Sequence, residues 1–272
     1  MKNKHPSQSE TQPRILFNHY ADGNVEGEAF VCDHIFSYII SGTHDIWVGD
    51  QLYSFKAGDY RFFRRNQLTR YVKKPSGEGF RSIAVHIDQG TLKEIANEYT
   101  YSSPSTYNGP DVLLLKPNQY LHHYIDSLTP YFNATGERFE KIKQLKAREL
   151  VHLLLETNPQ LKQVLFDFNN PGKIDLQAFM NKHYRYNVSV DRFAYLTGRS
   201  LSGFKRDFEK LFQTTPGKWL VWKRLQEAHY LIEEKGKRPS DIYLDVGFND
   251  LSHFSFAYKK AFGNAPTKKN RH

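Results

Sequence analysis

Cysteine is nearly absent from this sequence, since Cys32 is the only one in 272 residues. A single thiol cannot close a disulfide within the chain, and it cannot build a cysteine-based zinc site. Two common ways of stabilising a small fold are therefore excluded. Scarce cysteine is also usual in proteins of a reducing compartment, so we expect a cytoplasmic location.

Long apolar runs are absent as well. No stretch approaches the roughly 20 consecutive apolar residues that span a bilayer. Residues 1–13 are polar and lack the apolar segment of a signal peptide, so we expect them to form a disordered tail. The sequence thus predicts a protein that works without a membrane partner.

Acidic residues are scarce in the last part of the chain. The formal net charge is +9; residues 1–170 hold 19 Lys and Arg against 19 Asp and Glu, whereas residues 171–272 hold 19 against 10. The positive excess therefore lies in the C-terminal part. This distribution indicates a polyanion-binding domain joined to a neutral one. An ordinary solvated basic face is the simpler alternative.

The clearest break in the sequence is the run Asn-Asn-Pro-Gly at residues 169–172, which is uncharged and made of turn-forming residues. It coincides with the change in charge balance. We therefore predict an N-terminal domain over residues 14–168, a linker over 169–173 and a C-terminal domain over 174–272.

Short aromatic and β-branched runs, separated by glycine-containing turns, fill residues 14–87. They predict antiparallel strands at residues 14–20, 29–40, 45–48, 51–55, 60–63, 68–73 and 80–87. Their close spacing favours a small β-barrel or a jelly roll of two sheets. Large side chains at the predicted inward positions could fill such a barrel without a ligand; these are Ile35, Tyr38, Ile40, Trp47, Tyr53, Phe55 and Phe62.

Helical periodicity follows the strands. We predict helices over residues 89–99, 118–132 with an interruption near Pro130, and 137–156. The third helix carries one broad apolar side that includes Ile142, Leu145, Leu150 and Leu153. This side could pack on the barrel or pair with the same helix of a second subunit, and the periodicity leaves both open.

One apolar pattern occurs twice in the C-terminal domain. Each copy steps by three or four residues, as one face of a helix does, and the two copies are Leu201, Phe204, Phe208, Leu211, Phe212 and Leu251, Phe254, Tyr258, Ala261, Phe262. Ser200 and Asp250 are good N-caps for these helices. Gly198 and Gly247 supply the tight turn before each of them.

A short helix is predicted before each repeated helix, over residues 190–197 and 240–246, which makes two helix-turn-helix units. A long helix over residues 216–234, with Trp219 and Trp222 on its buried side, joins them. The predicted fold is therefore α+β with two domains. An antiparallel β-barrel of the jelly-roll type with following helices comes first, and an all-α domain with tandem helix-turn-helix units comes second.

Burial of the two apolar stripes turns the opposite side of each repeated helix toward solvent. The residues there that could contact DNA bases are Ser202, Gly203, Lys205, Arg206, Ser252, His253 and Phe256. Arg206 is the strongest candidate, because a guanidinium can donate to guanine O6 and N7 together. Basic side chains and two helix N-termini could contact phosphates, namely Ser189, Lys218, Lys223, Lys235, Lys237, Arg238, Ser240, Lys259 and Lys260.

A longer ordered series runs through these helices: Phe204, Arg206, Phe208, Phe212, Thr215, Pro216, Arg224, Leu225, Ala228, Leu231, Ile242, Val246, Gly247, Phe248, Asp250, Ser252, His253, Phe254, Tyr258, Lys259, Phe262, Gly263 and Pro266. It resembles the DNA-binding domain of the AraC/XylS family of bacterial transcription regulators. Gln213 departs from the family pattern where a glycine usually precedes the Thr-Pro turn. Phe256 departs where an arginine or lysine is common.

The resemblance implies a sequence-specific regulator of transcription, most often an activator, in the bacterial cytoplasm. It implies double-stranded DNA as a partner, a homodimer with contacts in the helices after the barrel, and RNA polymerase as a further candidate partner. The N-terminal domain would be cupin-like and respond to a small molecule or a protein. The identity of that effector, the operator and the sign of regulation are not set by the sequence.

Two other interpretations of the N-terminal domain stay open. A cupin enzyme would hold a metal through two closely spaced histidines, a carboxylate and a later histidine, and His34, His44 and His86 lack that spacing. We therefore predict no metal site, no cofactor and no enzyme activity. Alternatively, the domain serves only for dimerisation or partner docking, and a cavity inside it would argue against that alternative.

Overall fold

The computed structural model describes residues 13–102, 107, 109–131, 134 and 136–267. Residues 1–12 of the predicted tail lie outside the described residues. The chain divides into two compact units, residues 1–169 and 170–272. None of the described helices is long and apolar enough to cross a membrane.

The N-terminal unit is built on two antiparallel sheets, which confirms the predicted strand class. Its described strands are β1 (Arg14–Tyr20), β2 (Val25–Val31), β3 (His34–Ser41), β4 (Thr43–Val48), β5 (Gln51–Lys56), β6 (Tyr60–Phe63), β7 (Gln67–Lys74), β8 (Phe80–Ile87) and β9 (Val112–Leu115). One sheet has the order β1-β8-β3-β6-β9 and the other β2-β7-β4-β5.

The single strand predicted over residues 29–40 is wrong. Cys32 and Asp33 interrupt the strand. The segment before them, β2, pairs with β7 in one sheet, and the segment after them, β3, pairs with β6 and β8 in the other. Asp33 is buried at this break, and its carboxylate accepts from the Arg14 guanidinium at 3.3 Å. The apolar run is continuous in sequence, so it does not indicate that the chain passes from one sheet to the other within it.

Side-chain alternation gives the five-stranded sheet two buried faces. Its inner face meets the four-stranded sheet in a core that contains Ile39, Ile46, Phe55, Phe63 and Phe80. Its outer face is covered by helices in a larger core that contains Phe36, Phe62, Val85, Leu121 and Leu150.

Several of the predicted inward side chains lie elsewhere. Tyr38 and Phe62 belong to the helix-covered core, and Ile40 is exposed. Trp47 follows the inward-facing Ile46 in β4, so its side chain lies on the opposite face of the sheet, where the Arg70 guanidinium stacks on its ring. A one-residue error in strand phase moves a side chain to the other face, and β3 contains a register shift between Ile39 and Ser41 that no periodicity argument anticipates. Ile35, Tyr53 and Phe55 do pack with the inner core.

The helices of this unit agree with the periodicity. They are α1 (Gln89–Tyr99), α2 (Gln119–Leu128), α3 (Glu137–Thr157) and the short α4 (Lys162–Leu165). As predicted, α2 ends just before Pro130, in a single 3-10 turn. Sequence reasoning missed α4, because it is too short to give a periodic signal.

The apolar side of α3 is not a single surface. Leu150 has no exposed area and lies in the core of its own unit, so the expectation that it forms a dimer contact is wrong. Leu153 is half-buried and packs against the same core. Ile142 is also half-buried, whereas Leu145 is 66% exposed. Only the Leu145 end of the predicted seam faces solvent.

The C-terminal unit is all-helical, which confirms the predicted class. Its described helices are α5 (Leu176–His183), α6 (Val190–Leu196), α7 (Leu201–Phe212), α8 (Pro216–Glu233), α9 (Pro239–Ile242) and α10 (Leu251–Phe262). Pairs α6–α7 and α9–α10 are the two helix-turn-helix units. At 1.5 Å per residue, α8 is about 27 Å long.

Turns and caps in this unit follow the sequence signals. Gly198 and Gly247 have φ of 66° and 97°, in the left-handed region that glycine enters without strain. The Ser200 hydroxyl accepts from the Gly203 N–H at 3.1 Å, and the Asp250 carboxylate accepts from the His253 N–H at 2.7 Å. Both predicted N-caps are confirmed.

The buried stripes are narrower than predicted. Phe204, Phe208, Phe254 and Tyr258 are buried, but Leu201, Leu211, Leu251 and Ala261 are exposed, as is Trp222 on α8. In each helix, two aromatic residues four positions apart fill the space beside α8. The flanking apolar residues therefore remain at the surface.

Replacement of Gln213 by glycine should stabilise the C-terminal unit. Gln213 caps the C-terminus of α7 with φ of 55°, where Gly263 stands at the matching end of α10 with φ of 84°. Because left-handed backbone costs a residue with a side chain about 1 kcal/mol, we expect Gln213→Gly to raise the free energy of unfolding by roughly 0.5–1 kcal/mol. Gly263→Ala is the matched control and should lower it by a similar amount. Denaturant titration measures both, and a loss of stability in Gln213→Gly would contradict the argument.

Candidate nucleic-acid interface

The first candidate reading surface is the solvent side of α7. Ser202, Lys205 and Arg206 are exposed there, and the Arg206 side chain is 81% exposed. Its nearest carboxylate is Asp207, at 3.7 Å from Nε. Arg206 thus projects from a helix whose N-cap is formed.

Two other basic residues occupy the Asp207 carboxylate, so Arg206 is not held by it. Asp207 accepts from Arg199 Nε at 3.1 Å and lies 3.8 Å from Lys173 Nζ. The hydrogen bond from Arg199 holds the pKa of Asp207 below its usual value, so the carboxylate stays ionised and occupied. Gly203 differs from the other predicted base contacts, because it has no side chain and its N–H is taken by Ser200.

The second candidate reading surface is the solvent side of α10, which exposes Ser252, His253 and Phe256. Phe256 is 70% exposed, a larger fraction than any other large hydrophobic side chain in the described part of the chain. The His253 ring leans against Phe248 at a centroid distance of 5.6 Å. This surface therefore offers an apolar ring where α7 offers a guanidinium.

The residues predicted to contact phosphates are distributed over both helix-turn-helix motifs and the α8 helix between them. All are exposed except Lys223, which is half-buried: Ser189, Lys218, Lys235, Lys237, Arg238, Ser240, Lys259 and Lys260. Arg238 is paired with Asp241 at 2.9 Å. Lys259 and Lys260 lie in the last turn of α10.

The prediction that Ser240 begins its helix is wrong. That helix, α9, begins at Pro239 with Arg238 at the N-cap position, and the Ser240 hydroxyl donates to Asp241 at 3.0 Å. The predicted start lies inside the first turn, because Pro239 is as typical of a loop as of a first helical residue. Ser189 is the N-cap residue of α6, but its side chain makes no capping hydrogen bond.

Packing against α8 holds both reading surfaces. Trp219 contacts Phe208 and Phe212 of α7, with ring centroids at 5.6 Å and 4.7 Å. His229 Nδ1 lies 2.7 Å from the Tyr258 hydroxyl of α10. The two recognition helices are thus fixed to the same scaffold helix.

Arg224 is a structural residue of this domain that outward-face reasoning does not find. It is buried, and it donates from Nε to the Tyr184 carbonyl at 2.8 Å and from Nη2 to the Tyr186 carbonyl at 3.0 Å. These bonds tie the end of α5 and the loop after it to α8. A basic residue in a basic domain gives no signal that it is buried.

The three histidines considered for a metal site are individually engaged. His34 and His44 are buried and His86 is half-buried. His34 Nδ1 accepts from the Arg65 N–H at 3.2 Å, His44 Nδ1 lies 2.7 Å from Arg61, and His86 Nδ1 lies 3.1 Å from Arg14. Within the described residues, no group of three or more His, Cys, Asp and Glu side chains is arranged to hold a metal ion.

Two family models match the chain, one to each unit. Residues 34–164 match the ExsA N-terminal regulatory domain, and residues 193–272 match a helix-turn-helix domain. Among solved structures, an apo form of ToxT from Vibrio cholerae aligns over 97% of both chains with 11% identity and a TM-score of 0.46.

Curated relatives are transcriptional regulators. The chain is 31% identical to the HTH-type transcriptional regulator ExsA of Pseudomonas aeruginosa over 46% of this chain and 45% of that protein, which is less than half of either. It is 29% identical to the thermoregulatory protein LcrF of Yersinia pestis over 80% of this chain and 82% of the relative. The virulence regulon transcriptional activator VirF of Yersinia enterocolitica gives the same identity and coverage. The two matched domains and these relatives show a DNA-binding regulator of transcription whose homologues are regulators of the AraC family.

Proposed function

We propose that this protein activates transcription from promoters that carry a specific duplex sequence, with α7 as the main base-reading helix. The observation that carries the proposal is the 81% exposed side chain of Arg206 on the solvent face of a helix whose N-cap is formed. A side chain in the first half of such a helix reaches base edges in the major groove. Its fork geometry fits guanine O6 and N7.

Unequal reading by the two helices follows from their chemistry. Phe256 stands on α10 at the place of Arg206 on α7, and an aromatic ring can only make apolar contact, for instance with a thymine methyl group. Ser202 and Lys205 add hydrogen-bond donors on α7. Sequence preference should therefore be sharper in the half-site bound by α7.

A second group of residues supplies affinity without sequence preference. Lys218, Lys235, Lys237, Lys259 and Lys260 are exposed. Each phosphate that such a group neutralises releases condensed counterions, so binding weakens as salt rises. The N-terminal unit is neutral and lacks this field.

Activation, rather than repression, is supported by the names of relatives such as VirF, which is a transcriptional activator. An activator acts by contact with RNA polymerase, which we include as a proposed partner. We also propose a homodimer, in which the exposed face of α3 around Leu145 faces a second subunit. An exposed leucine among exposed charged residues such as Glu140, Lys141 and Glu149 supports this contact, and Ile142 lies one turn before it.

A gel-shift series tests the DNA-binding part of the proposal. Duplexes from the region upstream of the protein's own gene are titrated with the full chain near physiological salt, with shuffled duplexes of equal composition as control. We expect at least one upstream duplex to bind more tightly than its shuffled partner. Equal affinity for every duplex would contradict sequence-specific regulation.

Arg206→Ala should weaken specific binding by roughly 1–3 kcal/mol and relax the preference at one base pair, because it removes a bidentate hydrogen-bonding group. Phe256→Ala should change base preference less. Lys259→Ala and Lys260→Ala should lower affinity for all sequences alike and reduce the salt slope by roughly one unit for each phosphate that is no longer neutralised. Base-by-base competition at two salt concentrations measures all four variants. A sharper loss of preference from Phe256→Ala than from Arg206→Ala would make α10 the main reader.

Leu145→Glu should shift the protein toward monomers, because it replaces an apolar contact in the seam by a charge that must lose its hydration when the seam forms. Leu114→Glu is the matched control: Leu114 is also an exposed leucine of the N-terminal unit, at 63%, but lies on β9. Sedimentation equilibrium measures the association of both variants. A monomeric wild type, or an unchanged dimer in folded Leu145→Glu, would remove α3 from the interface.

A further inference from the structure

Three residues that precede the first helix-turn-helix unit also contact the second one. They are Tyr184, Arg185 and Tyr186, which lie between the end of α5 and the start of α6. Both tyrosines are buried. We call residues 184–186 the junction, because parts of the C-terminal domain that are distant in sequence meet there.

Arg224 of α8 holds the junction by its main chain. Its Nε donates to the Tyr184 carbonyl at 2.8 Å, and its Nη2 donates to the Tyr186 carbonyl at 3.0 Å. Hydrogen bonds from a charged donor are stronger than neutral ones. The guanidinium is also rigid and planar. One side chain of α8 therefore fixes two carbonyls of the junction at once.

The turn between α9 and α10 packs on the same place. A Cβ atom added to Gly247 would overlap the Arg185 carbonyl oxygen and would lie 2.7 Å from Arg224 Nε. No side chain fits in that space, and the φ of 97° at Gly247 favours glycine as well. The second helix-turn-helix unit thus meets the junction main chain against main chain.

Side chains of the junction extend the contact along α8. The Tyr184 hydroxyl donates to one oxygen of the Glu227 carboxylate at 3.1 Å, and Arg185 pairs with the other oxygen at 2.7 Å. The Tyr184 ring meets the Trp219 ring edge-on at a centroid distance of 6.4 Å. Because Trp219 also packs on Phe208 of α7, the junction is connected to the first recognition helix.

A continuous series of contacts therefore joins the two recognition helices. From α7 to α10 it consists of Phe208, Trp219, Tyr184, Arg224, Gly247, Phe248 and Phe254. Packing on α8 alone would hold each helix-turn-helix unit at one place along a single axis. The junction adds a contact beside that axis, and this contact restricts rotation of one unit relative to the other.

We propose that the junction sets the separation of the two half-sites that α7 and α10 read, with Arg224 and Gly247 as positioning residues. One extra base pair between half-sites moves the second by about 3.4 Å and rotates it by about 35° around the duplex axis. A rigid pair of helices cannot follow that displacement with both members. This role rests on the proposed reading of DNA by both helices.

Spacing variants of a bound duplex test the role of Arg224. A pool of random duplexes is selected with the full wild-type chain, and one base pair is then inserted or removed between the two half-sites. We expect the wild type to bind these duplexes about tenfold more weakly or worse, because one helix loses its base contacts. Arg224→Met should reduce this spacing penalty to about threefold or less, because the released unit can rotate and keep its base contacts.

Loss of stability alone would have a different result. A smaller folded fraction weakens binding to all duplexes alike and leaves the spacing penalty unchanged. Arg224→Lys should give an intermediate penalty, because one ammonium cannot occupy the positions of both Nε and Nη2. Thermal unfolding shows which variants fold, and Arg224→Lys carries the test if Arg224→Met does not fold.

Arg199→Met is the matched control. Arg199 also donates to two main-chain carbonyls, those of Ile174 and Thr197 at 2.9 and 2.7 Å, but neither belongs to the junction. Its spacing penalty should equal that of the wild type. An unchanged penalty in the folded Arg224 variant, or an equal reduction in Arg199→Met, would overturn the proposal.

A measurement without DNA separates this proposal from the proposed function. Spin labels are attached through Lys210→Cys in α7 and Lys260→Cys in α10, both exposed positions, in a Cys32→Ser background of the full chain. Double electron–electron resonance gives the distribution of the distance between the labels. We expect a narrow distribution with Arg224 present and a broader one in Arg224→Met.

The two proposals can then fail independently. A broader distribution in Arg224→Met, together with equal affinity for every duplex, would contradict the proposed function and keep the junction as the element that fixes the two helices. Specific DNA binding with equal distance distributions would overturn the junction and keep the proposed function.

Discussion

Aromatic packing on α8 positions both candidate recognition helices of the C-terminal unit. Trp219 of α8 contacts Phe208 and Phe212 of α7, and His229 of α8 stacks on Phe262 of α10 at a centroid distance of 4.3 Å. Large rings contribute both buried area and a preferred geometry. Because α7 and α10 are short, their orientation depends on these contacts rather than on intrinsic helix stability.

The same packing explains which parts of the site the sequence could predict. Rings spaced by four residues, as at Phe204 and Phe208, mark a buried helix face with little ambiguity, so the opposite face and Arg206 follow from geometry. The width of the buried face is less well determined by the sequence, because Leu201 and Leu211 fit the periodicity but are exposed in the structure. A buried arginine such as Arg224 cannot be distinguished from a surface one by its type or spacing.

Strand faces were harder to predict than strand bounds. In the five-stranded sheet both faces are buried, so apolar residues occur at consecutive positions and the alternation that would fix the phase is lost. Phe62 and Phe63 illustrate this, since they are adjacent and equally apolar but lie in different cores. The polar residues between the two sheets, Arg61 above all, could not be placed from the sequence, because a charged residue in a strand predicts an exposed position. Only the structure reveals that it faces the other sheet.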